Sequence, residues 1–247
     1  MPASYDGYHE HYARMQNAAC DWEAASKNPA AFASRRPWLP ASKEARILDV
    51  GCGWGHQLLE LWCAGYRNVE GVDHSEGQAE AARKAAGGRV QIHCGDGQEF
   101  LRAHAGAFDV IVLNDVLEHV PVDRSRDFLG ELRAALRPSG VLVVRTPNMS
   151  SLLAAHSRYI DVTHLTGFTE ASVVQLLEQA GFTGHRFYSF EREWRLHLWR
   201  PWAPLRGVPL KAALNAWMHR TLYWLRGQKP PPTQFGANLE VWSRRRD

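Results

Sequence analysis

From Ile47 onward the chain alternates short, unbroken apolar runs with longer stretches whose apolar positions recur every three or four residues. Ile47-Leu48-Asp49-Val50 is such a run, stops at glycine, and predicts a buried strand. His56–Ala64 places Leu58, Leu59, Leu61 and Trp62 at helical spacing and ends at Gly65. The pair of patterns then repeats. Strands are predicted over Val69–Val72, Val90–Ile92, Phe108–Leu113 and Val141–Val144. Helices fall between them over Glu76–Ala86, Glu99–His104 and Asp127–Leu136, the last ended by Pro138-Ser139-Gly140. Glu170–Ala180 predicts a further helix that stops at Gly181. Phe182–Phe190 and Leu239–Ser243 supply the last two strands.

Strands that alternate with helices of this length lie parallel and are joined by right-handed crossovers. Strands apolar on both faces need helices on both sides of the sheet. The pattern therefore predicts an α/β, doubly wound, mainly parallel sheet. Around it the chain divides into an N-terminal helical cap (1–45), a core (46–191), a helical insertion (192–238), and a last strand and tail (239–247). The cap is rich in aromatics (Tyr5, Tyr8, Tyr12, Trp22, Phe32, Trp38) and closes at Pro37 and Pro40.

Composition adds two points. With 45% hydrophobic and 22% charged residues the chain can bury a sizeable core and is not disordered. The formal net charge of +3 conceals an asymmetry: residues 192–247 carry eleven Lys/Arg against three Asp/Glu, and the first 191 carry eighteen against twenty-three. Cys20, Cys52, Cys63 and Cys94 have no C-x-x-C spacing and read as buried, reduced thiols. The N-terminus carries Asp6, Glu10 and Arg14 and no apolar leader, and no apolar run approaches the ~18 residues of a membrane span. A cytoplasmic location is expected.

The chemistry concentrates at strand ends, where open α/β sheets bind ligands. The first strand runs into Asp49-Val-Gly51-Cys52-Gly53-Trp-Gly55. A dinucleotide fingerprint would need a third glycine at position 56, which is His56. G-x-G-x-G behind an acid suits a ligand without pyrophosphate. Asp73 ends the second strand, where a carboxylate can accept from both ribose hydroxyls. Asp96 follows the third strand, and Asn114-Asp115 ends the fourth. One acid at a strand end is as often a helix N-cap; suitable groups at four consecutive strand ends point to a ligand.

ILDVGCGWG, EGVDHS, CGDGQEF, FDVIVLNDVLEHV and LRPSGVLVVRTPN, in that order over residues 46–148, resemble the motif set of class I S-adenosylmethionine (SAM)-dependent methyltransferases. The resemblance implies a Rossmann-like seven-stranded sheet with an antiparallel last strand, and SAM as cofactor. It implies that Asp49 and the Gly51, Cys52, Gly53, Gly55 loop hold the amino-acid part of SAM. Asp73 with His74 would meet the ribose, Asp96 and Gly97 the adenine, and Asn114, Asp115 and Val116 would run along the cofactor. Further on, Tyr159-Ile-Asp161-Val-Thr163-His164-Leu-Thr-Gly-Phe168-Thr169, followed by Ala180-Gly181-Phe182, is similar to a pattern in bacterial methyltransferases of surface-polysaccharide and lipid-linked glycan assembly. That implies O-methylation of a sugar hydroxyl in a glycan or its precursor. The alternatives are a small lipophilic or phenolic acceptor of the quinone-pathway type, and a non-catalytic SAM-binding module.

A hydroxyl needs a base near neutral pH. His119 and His164 lie on loops at the reactive edge, and Asp161 is placed to orient His164. Asp115, Glu118 and His119 suggest a metal, but no second Asp-Asn pair follows at catechol-methyltransferase spacing, so no metal is expected. Six of the ten tryptophans (Trp194, Trp199, Trp202, Trp217, Trp224, Trp242) lie after residue 191. Over Pro209–Gly227 a helix is predicted with Leu210, Leu214, Trp217, Met218, Leu222 and Leu225 in one arc of about 140°, blemished by Lys211 and flanked by Arg206, Arg220 and Arg226. Packing on the core as a lid, a homodimer surface, and peripheral membrane contact through residues 206–226 at the inner membrane are the roles open to it. The insertion is expected to help bind a small-molecule or glycan acceptor; nucleic acid is not expected, because no recognition fold is present.

Overall fold

A computed structural model of the 247-residue chain describes residues 20–188, 195–196, 208–227 and 232–246. Two short helices, α1 (Trp22–Lys27) and α2 (Pro29–Phe32), precede the alternating core. The core runs β1 (Ile47–Val50), α3 (His56–Cys63), β2 (Val69–Asp73), α4 (Glu76–Ala86), β3 (Gln91–Cys94), α5 (Gly97–Ala103) and β4 (Phe108–Asn114). After a 3₁₀ turn at Leu117–His119 come α6 (Val122–Ala135), β5 (Leu136–Pro147), α7 (Ala154–Tyr159), α8 (Glu170–Gln179) and β6 (Phe182–Tyr188). A two-residue ribbon, β7 (Arg195–Leu196) with β8 (Val208–Pro209), leads into α9 (Leu210–Leu225), and β9 (Asn238–Arg245) closes the chain.

The seven-stranded sheet has the order β3-β2-β1-β4-β5-β9-β6. The first five strands are mutually parallel, and β9 is antiparallel to both of its neighbours. This is the α/β, doubly wound, mainly parallel sheet that the pattern predicts. The central strands are apolar on both faces because each face feeds a different core. Leu48, Val50, Ile111, Leu113, Leu142 and Val144 point to one side, against Phe128, Leu129, Leu132 and Val173. Ile47, Val110, Val112 and Val143 point to the other, against Trp22, Leu58, Leu61, Tyr66 and Ala82. Alternation of period two is present, but hidden by burial on both sides.

Three elements depart from the sequence reading. Helix α6 begins at Val122 rather than Asp127, because Val122, Asp123 and Arg124 are exposed and give no apolar period facing the core; Pro121 sits at its N-cap. Strand β5 starts at Leu136, paired with Phe108, and breaks register before Val141 pairs with Val110. Pro138-Ser139-Gly140 is thus an irregular excursion within a strand, with Ser139 at φ 60°, not a loop between elements. Helix α7 buries none of its residues, so periodicity gave it no signal.

Two long-range devices matter for the site. Arg36 and Trp38, just before β1, both reach Glu240 on the last strand, Trp38 Nε1 donating to Oε1 at 2.9 Å and Arg36 forming a buried ion pair. The insertion is tied down by polar groups. His219 Nδ1–H donates to the Asn215 carbonyl at 2.8 Å, and its Nε2 accepts from Leu152 N at 3.0 Å. Asn215 Nδ2 donates to the Phe235 carbonyl at 2.8 Å. Among the described side chains of α9 the apolar arc does not dock the helix: Leu214, Trp217, Met218, Leu222 and Leu225 are exposed, and His219 is buried. Trp194, Trp199, Trp202, Arg206 and the N-terminal tyrosines lie outside the described residues. All four cysteines are free, but only Cys20 and Cys52 are buried; Cys94 is exposed.

Candidate active site

Strand β1 ends in the middle of the sheet, and the chain must turn at once into α3. Gly51, Gly53 and Gly55 all take positive φ, of 72°, 51° and 82°. At Gly51 space is a second constraint, since a Cβ there would lie 2.4 Å from Val116 Cγ2. The loop is held by β2. Gly51 N donates to the Val72 carbonyl at 2.8 Å, and Gly53 N to Asp73 Oδ2 at 2.7 Å. Asp73 Oδ1 accepts from Ser75 N at 2.8 Å. Each Asp73 oxygen therefore spends one lone pair on the backbone and keeps another for a ligand. Burial pushes the Asp73 carboxyl up, and those two backbone N–H groups pull it back.

The loop forms one wall of a cavity of about 580 Å³, a size suited to a small-molecule site. Asp49, Gly51, Cys52, Gly53, Asp73 and His74 line it from the first two strand ends, and Asn114, Asp115 and Val116 from the fourth. Asp49 is fully buried; its carboxyl is pushed up to about 8, first by burial and then by the Asp73 charge. Its Oδ1 has no hydrogen-bond partner among the described residues. A buried acceptor with nothing to accept from fits the ammonium of a bound amino-acid moiety. The donor set thus fits SAM: Asp49 for the ammonium, Asp73 for the ribose hydroxyls.

Asp96 and Gly97 do not line this cavity. The Asp96 carboxylate caps α5, accepting from Gln98 N at 2.7 Å and Glu99 N at 3.1 Å. Gly55 likewise stays off the wall and serves as the left-handed N-cap of α3. Asp115 turns from the cavity floor to Arg145, whose Nε donates to Oδ1 at 3.2 Å, and takes a positive φ of 53° to do so. Burial works against the Arg145 charge, but Asp115 outweighs it and the guanidinium is held above its usual range.

At the other end of the cavity lie Glu118, His119 and His164. Their ligating atoms fall within 4.8 Å of one another, and the two imidazoles meet edge to face at 4.8 Å between centroids. The loop carrying His164 is sewn onto the 3₁₀ turn: the Glu118 carbonyl accepts from Leu165 N at 2.8 Å and Thr166 N at 2.9 Å. Burial pushes the Glu118 carboxyl up to about 8, with the Asp115 charge adding to it. Burial, then the His164 neighbour, push His119 down.

Asp161 acts on a different histidine from the one expected. Its Oδ1 accepts from Thr163 N at 2.8 Å and Thr163 Oγ1 at 2.7 Å. The Thr163 hydroxyl proton is thereby committed, so Oγ1 can only accept from His119 Nδ1, 2.9 Å away. Asp161 thus orients His119 through Thr163. His164 is oriented by the Ser157 carbonyl, which accepts from its Nδ1–H at 3.0 Å. Both rings then carry a lone pair on Nε2.

Sequence reasoning passed over Arg36, Glu60, Arg145, His156 and Ser157, all of which line the cavity. Arg145 sits one strand from Asp115 in the RTPN segment, where a cation among strand-end acids was a usable signal. Arg36 owes its place to Glu240, and no local pattern connects residues so far apart in the chain.

Comparison with known proteins agrees with this geometry. A family model described as "Methyltransferase domain" matches residues 20–186. The chain belongs to this methyltransferase-domain family, of the class I SAM-dependent type. It is 36% identical over 106 residues to a ubiquinone biosynthesis O-methyltransferase of Aromatoleum aromaticum, covering 42% of this chain and 44% of that one. It is 33% identical over 136 residues to a probable S-adenosylmethionine-dependent methyltransferase of Mycolicibacterium smegmatis, covering 55% and 51%. The chain thus spans about half the length of the curated relatives it matches. A SAM-dependent methyltransferase structure from Archaeoglobus fulgidus shares the fold with a TM-score of 0.61 at 20% identity, over 91% of this chain and 94% of that one.

Proposed function

We propose that the chain methylates a hydroxyl oxygen of a small lipophilic or phenolic acceptor, with SAM as methyl donor. One observation carries this reading: a single cavity joins the Asp49–Asp73 end to the Glu118–His119–His164 cluster. SAM supplies a methyl group on a sulfonium sulfur. The protein's part is to hold the acceptor oxygen in line with it and to manage the hydroxyl proton. His164 offers Nε2 to that proton because Ser157 fixes Nδ1 as the protonated nitrogen.

Support for the acceptor class comes from exposed apolar residues on the segment that carries His164. Leu152, Leu153, Tyr159, Ile160, Val162 and Leu165 are all exposed, and Ile160 also lines the cavity. The Leu152–His219 bond seats the exposed apolar face of α9 beside them. Such an exposed apolar surface suits an apolar acceptor, and several relatives are named as ubiquinone biosynthesis O-methyltransferases. The surface-glycan reading draws no support from the comparisons. Arg220 and Arg226 beside exposed Trp217 and Trp224 suit contact with an anionic lipid surface, which would present such an acceptor. Among the described residues no helix is long and apolar enough to cross a membrane.

The test is methyl transfer from isotopically labelled SAM to a panel of alkylated catechols and simple sugars, followed by mass spectrometry. Label on a catechol oxygen is expected. Label on sugars alone would overturn the acceptor class.

A further inference from the structure

We propose that Glu118, His119 and His164 bind a divalent transition-metal cation on the cavity wall, with an open coordination position facing the acceptor. The role of that open position rests on the O-methylation reading; the cation site itself does not.

Five observations point to it. One carboxylate oxygen and two imidazole nitrogens lie within 4.8 Å of one another. A cation with bonds of about 2.1 Å holds neighbouring ligands about 3–3.5 Å apart, so small side-chain rotations would close the set. The Glu118 side chain is 2% exposed, and neither carboxylate oxygen meets a donor in good hydrogen-bonding geometry among the described residues, although the Thr146 hydroxyl lies near enough to favour its charge. A buried carboxylate in that position calls for a positive partner. Arg145, the nearby guanidinium, is drawn to Asp115.

The imidazoles are prepared as ligands. The Ser157 carbonyl holds His164 Nδ1–H, and the Thr163 carbonyl at 3.1 Å holds His119 Nδ1–H, so each ring keeps its lone pair on Nε2. Outer partners of this kind, carbonyl on one ring and a carboxylate-backed hydroxyl on the other, orient metal-binding histidines. The frame is rigid, since the Glu118 carbonyl ties the two segments together through Leu165 and Thr166. Finally, all three residues line the cavity, so a three-ligand site would keep a position open toward it.

Two nitrogens and one oxygen select a borderline cation such as Zn²⁺, Co²⁺ or Mn²⁺ over Mg²⁺, which prefers an all-oxygen shell. An acceptor oxygen in the open position would lose its proton to solvent water, lowered in pKa by the cation. That oxygen's lone pair then forms the O–CH₃ bond while the C–S bond breaks, its electron pair remaining on sulfur. In this form water, rather than an imidazole, takes the hydroxyl's proton, and the cation's part is to lower that hydroxyl's pKa.

The experiment needs no acceptor. Chelator-treated protein is titrated with Zn²⁺ by calorimetry, and with Co²⁺ by visible absorption. One Zn²⁺ per chain is expected, with Glu118→Gln and His164→Ala each weakening binding at least tenfold while leaving S-adenosylhomocysteine affinity unchanged. Co²⁺ should give d–d bands in the unmutated protein, which keeps the test independent of how the variants fold. Absence of saturable Zn²⁺ binding and of Co²⁺ bands would overturn the site, as would binding unaffected by both substitutions. Zn²⁺ binding without S-adenosylhomocysteine binding would support the site and overturn the methyl-transfer reading; the reverse result would overturn the site alone.

Discussion

At the scale of single residues, the cavity works through groups whose ordinary preferences are overridden. Gly51 combines a left-handed φ of 72° with a wall that has no room for a Cβ. Gly51→Ala should therefore cost about 1–3 kcal/mol of stability, read by denaturant melts, and abolish SAM binding. Asp49 stays protonated in the empty fold below its value of about 8. Because that value lies above the unfolded carboxyl's, stability of the unliganded protein should fall as pH rises through this window. An ammonium beside Asp49 would ionise it, so SAM binding should release a proton, and affinity should climb from about pH 6 toward 8. Calorimetry in buffers of different ionisation enthalpy checks this; no proton release, or uptake, would refute it. His119→Ala or His164→Ala should lower turnover about 10²-fold or more with little change in SAM affinity; full turnover in both would remove the cluster from the chemistry. The sequence showed His119 and His164 at the reactive edge, because strand-end loops are readable. It could not show that Asp161 serves His119 through Thr163, since that depends on which proton each hydroxyl and ring spends.

At the scale of elements, the insertion's attachment is the opposite of a buried amphipathic helix. His219 and Asn215 dock α9, and the apolar residues face outward. Hydrophobic periodicity found the helix and its arc but could not tell which side meets the core, because a polar anchor with its hydrogen bonds satisfied carries no periodic signature. Replacing Trp217, Leu222 and Leu225 together by Ser should leave stability within about 0.5 kcal/mol per residue, yet abolish flotation with anionic vesicles. Unchanged flotation would exclude lipid contact through this face. His219→Ala, which leaves Leu152 N and the Asn215 carbonyl without their imidazole, should by contrast cost about 1–3 kcal/mol. At the opposite edge, Glu240→Ala removes the buried partner of both Arg36 and Trp38, with an expected loss of about 3–5 kcal/mol in melting studies. A loss under about 1 kcal/mol would mean that the N-terminal segment is not pinned there.

At the scale of the molecule, the doubly wound, mainly parallel sheet was legible from the alternation of strands and helices, and several strand ends carry markers of their own: glycines after Val50, polar side chains at Asp73 and Asn114, Pro-Asn after Thr146. The cavity lining at Asp49, Gly51, Asp73 and Asn114 coincides with those markers. Asp96 is a strand-end acid that caps a helix and lies off the cavity wall, and sequence gives no means of separating a cap from a ligand contact. The acceptor half was less legible, since it is assembled from the 3₁₀ turn at Leu117–His119 and a loop more than 40 residues later. The central claim is that the Asp49–Asp73 end holds SAM. Calorimetric titration with S-adenosylhomocysteine, and separately with NAD, tests it most directly. One S-adenosylhomocysteine per chain is expected, with no NAD binding and with affinity sharply reduced in Asp73→Ala; binding of NAD, or S-adenosylhomocysteine affinity unchanged by that substitution, would contradict the account.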